Sequence, residues 1–353
     1  MKFKVTYKST VCDDGERITN ADVTFSEKLL NDIQLTFLVG ENEVVRCTIQ
    51  RGKEHVQVKF PQIPALSMLS FDKDKFVNNI VYPNIVVKVD NGASLDSIDV
   101  KFERDPFVKK FKKCIVQGED RLFSYYEYEP INQTNNKLPL VIFLHGSGER
   151  GNMNELPLLG SDIPKTLLNY IEKNEKAIIV VPQTTWSPKM EGWFRPEYER
   201  LLLKMIERFI TEKNVDSQRI YLTGLSNGGS EVWHLIVQHP NIFAAAVPCS
   251  GYIYNPEKTF HGGQGSGRYM KPKENELRQI LTLPIWTFHE EDDPVVNVAG
   301  THAIVDGIRK LGGTNIKATF YSPGTNKINP HASWEMAYNN PELLPWLFSQ
   351  RKE

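Results

Sequence analysis

The chain opens on strict alternation: Phe3, Val5 and Tyr7 are apolar, while Lys4, Thr6 and Lys8 between them are polar. A period of two residues is the signature of a half-buried β-strand. Further strand-like runs follow at Ile18–Phe25, Ile33–Val39, Glu43–Gln50, His55–Phe60, Ile80–Val89 and Ile98–Glu103. Turn formers separate them, at Asp13-Asp14-Gly15, Gly40-Glu41-Asn42, Arg51-Gly52 and Asn91-Gly92. No helix of ordinary length is predicted in this region.

About seven short strands at this spacing predict an all-β sandwich of immunoglobulin-like type over residues 1–104. Residues 105–113, with four lysines, read as a solvated connector. From Cys114 the pattern changes. A hairpin is predicted around Gly118-Glu119-Asp120, and then apolar runs alternate with segments of helical period. The predicted strands are Leu138–Leu144, Ala177–Pro182, Arg219–Thr223, Phe243–Pro248, Pro284–His289 and Ile316–Tyr321. The predicted helices are Asp162–Lys173, Glu197–Lys213, Asn227–His239, Val298–Leu311 and a stretch within Ser333–Gln350. Strand–helix alternation with near-continuous apolar strands indicates a mostly parallel, doubly wound sheet covered on both faces, here spanning residues 114–353. The connection Tyr252–Thr282 is long for such a fold, and its Gly262-Gly263-Gln264-Gly265-Ser266-Gly267 core reads as an excursion near the site, with His261, Arg268 and Tyr269 at its entrance.

Composition narrows the possible partners. The 353 residues are 40% hydrophobic and 24% charged, with a formal net charge of −1. That balance gives no electrostatic case for binding nucleic acid or an anionic membrane surface. The longest greasy segment, Leu201–Ile210, is interrupted by Lys204, Glu207 and Arg208, so no membrane insertion is expected. The alternating start lacks the apolar stretch of a signal peptide. This reading places the protein in the cytoplasm or on an export route of another kind. Cys12, Cys47, Cys114 and Cys249 form no CxxC pair and read as isolated thiols, with a Cys12–Cys47 bridge left open. No histidine–carboxylate spacing indicates a metal, and no cofactor-binding glycine motif follows a strand.

Candidate chemistry centres on Gly224-Leu225-Ser226-Asn227-Gly228, between a predicted strand and a predicted helix. A Gly-x-Ser-x-Gly turn at such a junction lifts one serine out of the backbone on a tight bend. A serine hydroxyl needs a base to take its proton, and the base needs an acid to orient it. In doubly wound hydrolases these arrive in the order Ser, Asp, His. Downstream, the strand Pro284–His289 runs into the carboxylate-rich Glu290-Glu291-Asp292-Asp293-Pro294, at the strand edge where open α/β sheets place their sites. Beyond it remain His302, inside a helical pattern, and His331, in a loop after the last predicted strand. His331 is therefore the candidate base. The strand Leu138–Leu144 leads into His145-Gly146-Ser147-Gly148-Glu149-Arg150-Gly151, where glycines let backbone N–H groups approach a substrate oxygen. The amides of Ser147 and Asn227 are the candidate oxyanion donors. His145 reads as a structural hydrogen-bonder, and Glu149 and Arg150 as braces of this loop.

Residues from about 114 onward resemble the α/β-hydrolase superfamily, and within it the esterases described as predicted peptidases or polyhydroxybutyrate-depolymerase-like proteins, some with an immunoglobulin-like domain in front. The matching words are Leu-Pro-Leu-Val-Ile-Phe-Leu-His-Gly-Ser-Gly-Glu-Arg-Gly (138–151), Gly-Leu-Ser-Asn-Gly-Gly (224–229), Phe-Ala-Ala-Ala-Val-Pro-Cys-Ser-Gly (243–251), Asp293-Pro294-Val295-Val296, and His331 followed by Trp334. The resemblance implies Ser226 as nucleophile, Asp293 as acid with Asp292 as the alternative, His331 as base, and no cofactor. The chain departs from the pattern in having His289-Glu290 where His-Gly is usual, and Pro330 where glycine usually precedes the base. Trp186, Trp193, Phe194, Tyr252, Tyr254 and Trp334 could wall a substrate site or simply pack. The expectation is a serine carboxylic-ester hydrolase acting through an acyl-enzyme on short acyl or aromatic esters, free or carbohydrate-linked. A serine peptidase of the same fold and a catalytically idle binding or structural module are the alternatives.

Overall fold

The computed structural model describes residues 2–90, 97–117, 122–131, 136–187, 191–253 and 272–352. Two compact units emerge. The first comprises Met1–Phe71, Asn78–Lys110 and Leu159–Asp162; the second comprises Asp72–Val77, Phe111–Leu158 and Ile163–Glu353.

The first unit is all-β. Its strands are β1 (Lys2–Cys12), β2 (Gly15–Phe25), β3 (Ile33–Val39), β4 (Asn42–Ile49), β5 (His55–Lys59), β6 (Leu69–Asp72), β7 (Val77–Ile80), β8 (Ile85–Asp90) and β9 (Ser97–Glu103). They form sheets of order β5-β2-β1-β9 and β4-β3-β8, with β6 and β7 paired as a hairpin. Pairing is antiparallel except between β1 and β9. The alternation at the start of the chain has its expected effect: Phe3, Val5 and Tyr7 are buried, together with Leu35 and Phe37 from the other sheet. The predicted strand Ile80–Val89 is split between β7 and β8, because Pro83 has no N–H for a ladder. Cys12 and Cys47 are free thiols. The predicted Asn91-Gly92 turn lies outside the described residues, as do Gly118-Glu119-Asp120, Tyr254, His261, the Gly262-Gly263-Gln264-Gly265-Ser266-Gly267 core, Arg268 and Tyr269. The segment expected to be a solvated connector is a 3-10 turn over Pro106–Lys110, and Phe107, Val108 and Phe111 are buried. The lysines hid an apolar face.

The second unit is built on an eight-stranded sheet of β10 (Lys112–Gln117), β11 (Leu122–Tyr128), β12 (Leu138–Leu144), β13 (Ile178–Gln183), β14 (Val215–Leu225), β15 (Ala245–Cys249), β16 (Ile285–Glu290) and β17 (Ile316–Tyr321). The spatial order is β10-β11-β13-β12-β14-β15-β16-β17. β10 and β11 join antiparallel, and the strands from β13 onward run parallel. The helices are α1 (Leu156–Leu159), α2 (Ile163–Lys173), α3 (Pro196–Glu212), α4 (Asn227–Gln238), α5 (Glu274–Gln279), α6 (Ala299–Lys310), α7 (Ser333–Tyr338) and α8 (Leu343–Ser349). Every residue of β12 is buried. Leu140, Ile142 and Leu144 join the core that also holds residues of α3, α4 and α6. On the opposite face Phe348 of α8 stacks on Tyr170 of α2 and packs edge-on against Tyr221 of β14. A strand covered on both sides has no solvent face, hence its unbroken apolar run. The strand order changes direction at β12, which has the later β13 on one side and β14 on the other. Crevices for ligands open at such switch points, beyond the C-terminal strand ends.

Candidate active site

β14 delivers Ser226 to the start of α4 in a conformation of φ 54° and ψ −116°. A non-glycine residue with positive φ is strained and needs surrounding structure to hold it. The flanking glycines explain how that is done. A Cβ on Gly228 would lie 2.1 Å from the Leu144 carbonyl oxygen, and one on Gly224 would lie 2.7 Å from the Gly228 carbonyl carbon. The ends of β12 and β14 and the first turn of α4 therefore meet backbone to backbone. The Ser226 N–H donates to the Cys249 carbonyl at 2.9 Å.

Loops after β16 and β17 bring two further groups to this serine. His331 Nε2 lies 2.9 Å from Ser226 Oγ, and His331 Nδ1 lies 2.8 Å from Asp293 Oδ2. The Ser250 hydroxyl donates to the His331 carbonyl at 2.8 Å and fixes that backbone. Asp293 is buried and fully engaged. Its Oδ1 accepts the N–H groups of Val295 and Val296, at 2.8 and 2.9 Å, and its Oδ2 also faces His289 Nε2 at 3.0 Å. Burial alone would raise its pKa, but the His331 charge and the hydrogen bonds from His289 and His331 hold the carboxyl well below the usual carboxylate range. Asp292 points elsewhere, its Oδ2 accepting the Gly324 N–H at 3.0 Å. His302 pairs with Glu291 and stacks on Phe320, away from Ser226.

Ser147 and Asn227 both line the cleft at Ser226. The Asn227 side chain is occupied, its Oδ1 accepting the Trp193 main-chain N–H at 2.9 Å. Arg150, fully buried, donates from Nε to the Ser147 carbonyl at 2.8 Å and braces that loop. Burial lowers its pKa to about 10, so it remains a cation at neutral pH. His145 accepts the Thr184 N–H at Nε2 and donates from Nδ1 to the Gly146 carbonyl, at 3.1 and 2.6 Å.

The aromatic candidates divide. Tyr252 and Phe194 line the cleft. Trp334 stands edge-on to His331, ring centroids 5.1 Å apart. Trp186 is 39% exposed and donates from Nε1 to the Lys75 carbonyl. Trp193 offers nothing to a ligand: it is fully buried, packs on His145 and donates to the His145 carbonyl at 2.8 Å. Its indole N–H had a partner inside the core, which its sequence neighbours did not reveal. Sequence reasoning also missed Phe76, Ser230, Val295 and Val296 as lining residues, and His289 as a partner of Asp293. Val295-Val296 carried a signal, as part of the Asp-Pro-Val-Val word. Phe76 carried none.

The cleft is narrow at its base, with about 20 Å³ of internal room, and opens to solvent above it. Among the described residues no group of three His, Cys, Asp or Glu side chains is placed to hold a metal ion. No helix among them is long and apolar enough to cross a membrane.

Comparison with known proteins places this fold. A profile of the prolyl oligopeptidase family matches residues 202–279. The chain is 25% identical over 222 residues to a bifunctional acetylxylan esterase/xylanase of Neocallimastix patriciarum, an alignment covering 62% of this chain and 28% of that protein. It is 28% identical over 126 residues to poly(3-hydroxyalkanoate) depolymerase C of Paucimonas lemoignei, covering 33% of this chain and 28% of the other. The chain thus aligns with little more than a quarter of the length of either relative. The crystal structure of a thermostable esterase superposes with a TM-score of 0.75 at 23% identity, covering 99% of both chains. The protein has the α/β-hydrolase fold with an all-β unit before it in the chain, and its sequence is similar to parts of an acetylxylan esterase/xylanase and of a poly(3-hydroxyalkanoate) depolymerase.

Proposed function

We propose that this protein is a serine carboxylic-ester hydrolase working through an acyl-enzyme. The observation that carries the reading is the continuous hydrogen-bonded line from Ser226 Oγ through the His331 ring to Asp293, at 2.9 and 2.8 Å. His331 Nε2 takes the Ser226 proton as Oγ attacks the ester carbonyl. Asp293 holds the ring with Nδ1 protonated and stabilises the imidazolium that forms. The tetrahedral oxyanion sits against the N–H groups of Ser147 and Asn227, each such donor contributing ~10²–10³ in rate. His331 then protonates the leaving alkoxide, and water repeats the cycle on the acyl-enzyme with the proton transfers reversed. The acid–base work is done by these side chains.

The cleft and the relatives together support a substrate class. A narrow space beside Ser226 suits a short acyl group, and one relative is an acetylxylan esterase. Short acyl esters, including those on carbohydrates, are the proposed substrates. A fluorophosphonate probe tests the reading. Labelling is expected on Ser226 and absent in Ser226→Ala, with turnover of nitrophenyl acetate falling ~10⁴-fold or more. An unlabelled native protein refutes it and favours an idle scaffold.

A peptidase reading draws on the prolyl oligopeptidase profile over residues 202–279. Faster cleavage of peptide anilides than of nitrophenyl acetate would decide for it.

A further inference from the structure

The wall of the cleft has an unusual origin. Phe194, Tyr252 and Val296 form one buried cluster with Val295 packed against it, and all four come from loops at the C-terminal edge of the large sheet. Phe76 does not. It sits at the tip of the β6–β7 hairpin, in the short segment Asp72–Val77 that belongs to the second unit, and it lines the cleft beside Ser226.

Its placement is enforced. Phe76 has φ 52°, a conformation bulky side chains rarely adopt. The buried Arg150 guanidinium donates from Nη2 to the carbonyls of both Lys75 and Phe76, at 3.2 and 2.9 Å. The same guanidinium holds the Ser147 carbonyl through Nε. One cation therefore ties the oxyanion loop and the hairpin tip together. Trp186 Nε1 adds a third hold on this segment, through the Lys75 carbonyl at 3.1 Å. Strain of this kind persists only where the surroundings over-determine it, and here the Arg150 guanidinium supplies the hold.

We infer that Phe76 is the residue that limits the acyl group of the substrate, so that acetyl and similarly short acyl esters are accepted and longer chains are refused. This rests on the serine-hydrolase reading above and deepens it. The cleft beside Ser226 narrows to about 20 Å³ of internal room below a mouth open to solvent, and Phe76 stands in the wall of that narrow part. Tyr252, fully buried with its N–H donating to the Ser230 hydroxyl at 3.1 Å, cannot retreat. Phe76 is half-buried, and its side chain is the wall whose removal opens the cleft without breaking the core.

The test is the ratio of kcat/KM for nitrophenyl acetate to that for nitrophenyl hexanoate, in the full chain and in Phe76→Ala, Phe76→Leu and Phe76→Gly. The glycine variant suits the positive φ and provides a folded protein if alanine does not. Each buried methylene is worth about 10-fold or more in discrimination in an apolar pocket. The native ratio is expected to favour acetate by about 10-fold or more and to fall by at least that factor in Phe76→Ala or Phe76→Gly, with Phe76→Leu between. A ratio unchanged in a variant whose Ser226 still reacts with a fluorophosphonate overturns the inference and leaves the hydrolase reading standing. Absence of labelling in the native chain overturns both.

Discussion

Replacing His145 by glutamine removes a buried titrating ring while keeping an acceptor for the Thr184 N–H. In the native chain that ring has no exposed surface, and because Nε2 accepts a hydrogen bond the proton sits on Nδ1. A second proton would have to be buried with no acceptor for it, so burial lowers the pKa to about 3, with the nearby Arg150 charge acting in the same direction. An unfolded histidine titrates near ~6.5. Between these values the unfolded state binds a proton that the folded state refuses, so stability rises with pH across this window and is lost as pH falls from about 6.5 toward 3. The slope is ~1.4 kcal/mol per pH unit, and the full window amounts to roughly 5 kcal/mol. Asp293 contributes elsewhere: its depressed pKa gives stability that is present above the unfolded value of ~3.9 and lost only as pH falls below it. Burial raises the Glu290 carboxyl, which acts in the opposite sense above its unfolded value, so the imidazole's share is the part of the loss between pH 6.5 and 4.5 that His145→Gln removes. Urea unfolding followed by tryptophan fluorescence measures it, because Trp193 packs against His145 with ring centroids 5.0 Å apart. His145→Gln is expected to show a shallower acid slope than the native chain by ~1.4 kcal/mol per pH unit. Parallel slopes, or nitrogen NMR showing the His145 ring protonating near pH 6.5 in the folded protein, would refute the reasoning.

Asp293→Asn is expected to lower kcat about 10⁴-fold with the fold retained, because the ring loses its orienting carboxylate. Asp292→Asn, with its link to Gly324 preserved by the amide oxygen, should stay within about threefold of the native rate, far from the loss seen on removing a triad acid; steady-state ester hydrolysis compares the two. Gly228→Ala places a methyl group 2.1 Å from the Leu144 carbonyl and should cost about 3 kcal/mol or more, or prevent folding. Gly324→Ala, at φ 74° with open space around it, should cost only ~1–2 kcal/mol; thermal melts of both variants check the contrast.

The parts of this molecule most legible in the sequence are those where one local requirement forces residue type. The tight crossing of β12, β14 and α4 admits only glycine at 224 and 228, and it marked the serine between them. The order of Ser226, a carboxylate loop and His331 follows from parallel strands that each add one loop to the same sheet edge. Choosing Asp293 over Asp292 drew on the resemblance, and the structure sets only Asp293 against the His331 ring. Other features were silent because their cause lies far away in the chain. The four-residue strands β6 and β7 are too short for a readable period, so the hairpin that carries Phe76 left no trace. Trp193 could be read as a ligand wall or as packing, because its burial depends on His145, 48 positions upstream. Phe107, Val108 and Phe111 were masked by the lysines around them.

The bend at Ser226 has one more consequence. Its geometry is imposed by main-chain crowding at Gly224 and Gly228, so the hydroxyl is aimed before any ligand arrives and no closing motion is needed to present it. Aim and architecture share one cause. Heat should therefore abolish reactivity and tertiary order at a single temperature, with no folded but misdirected species between them.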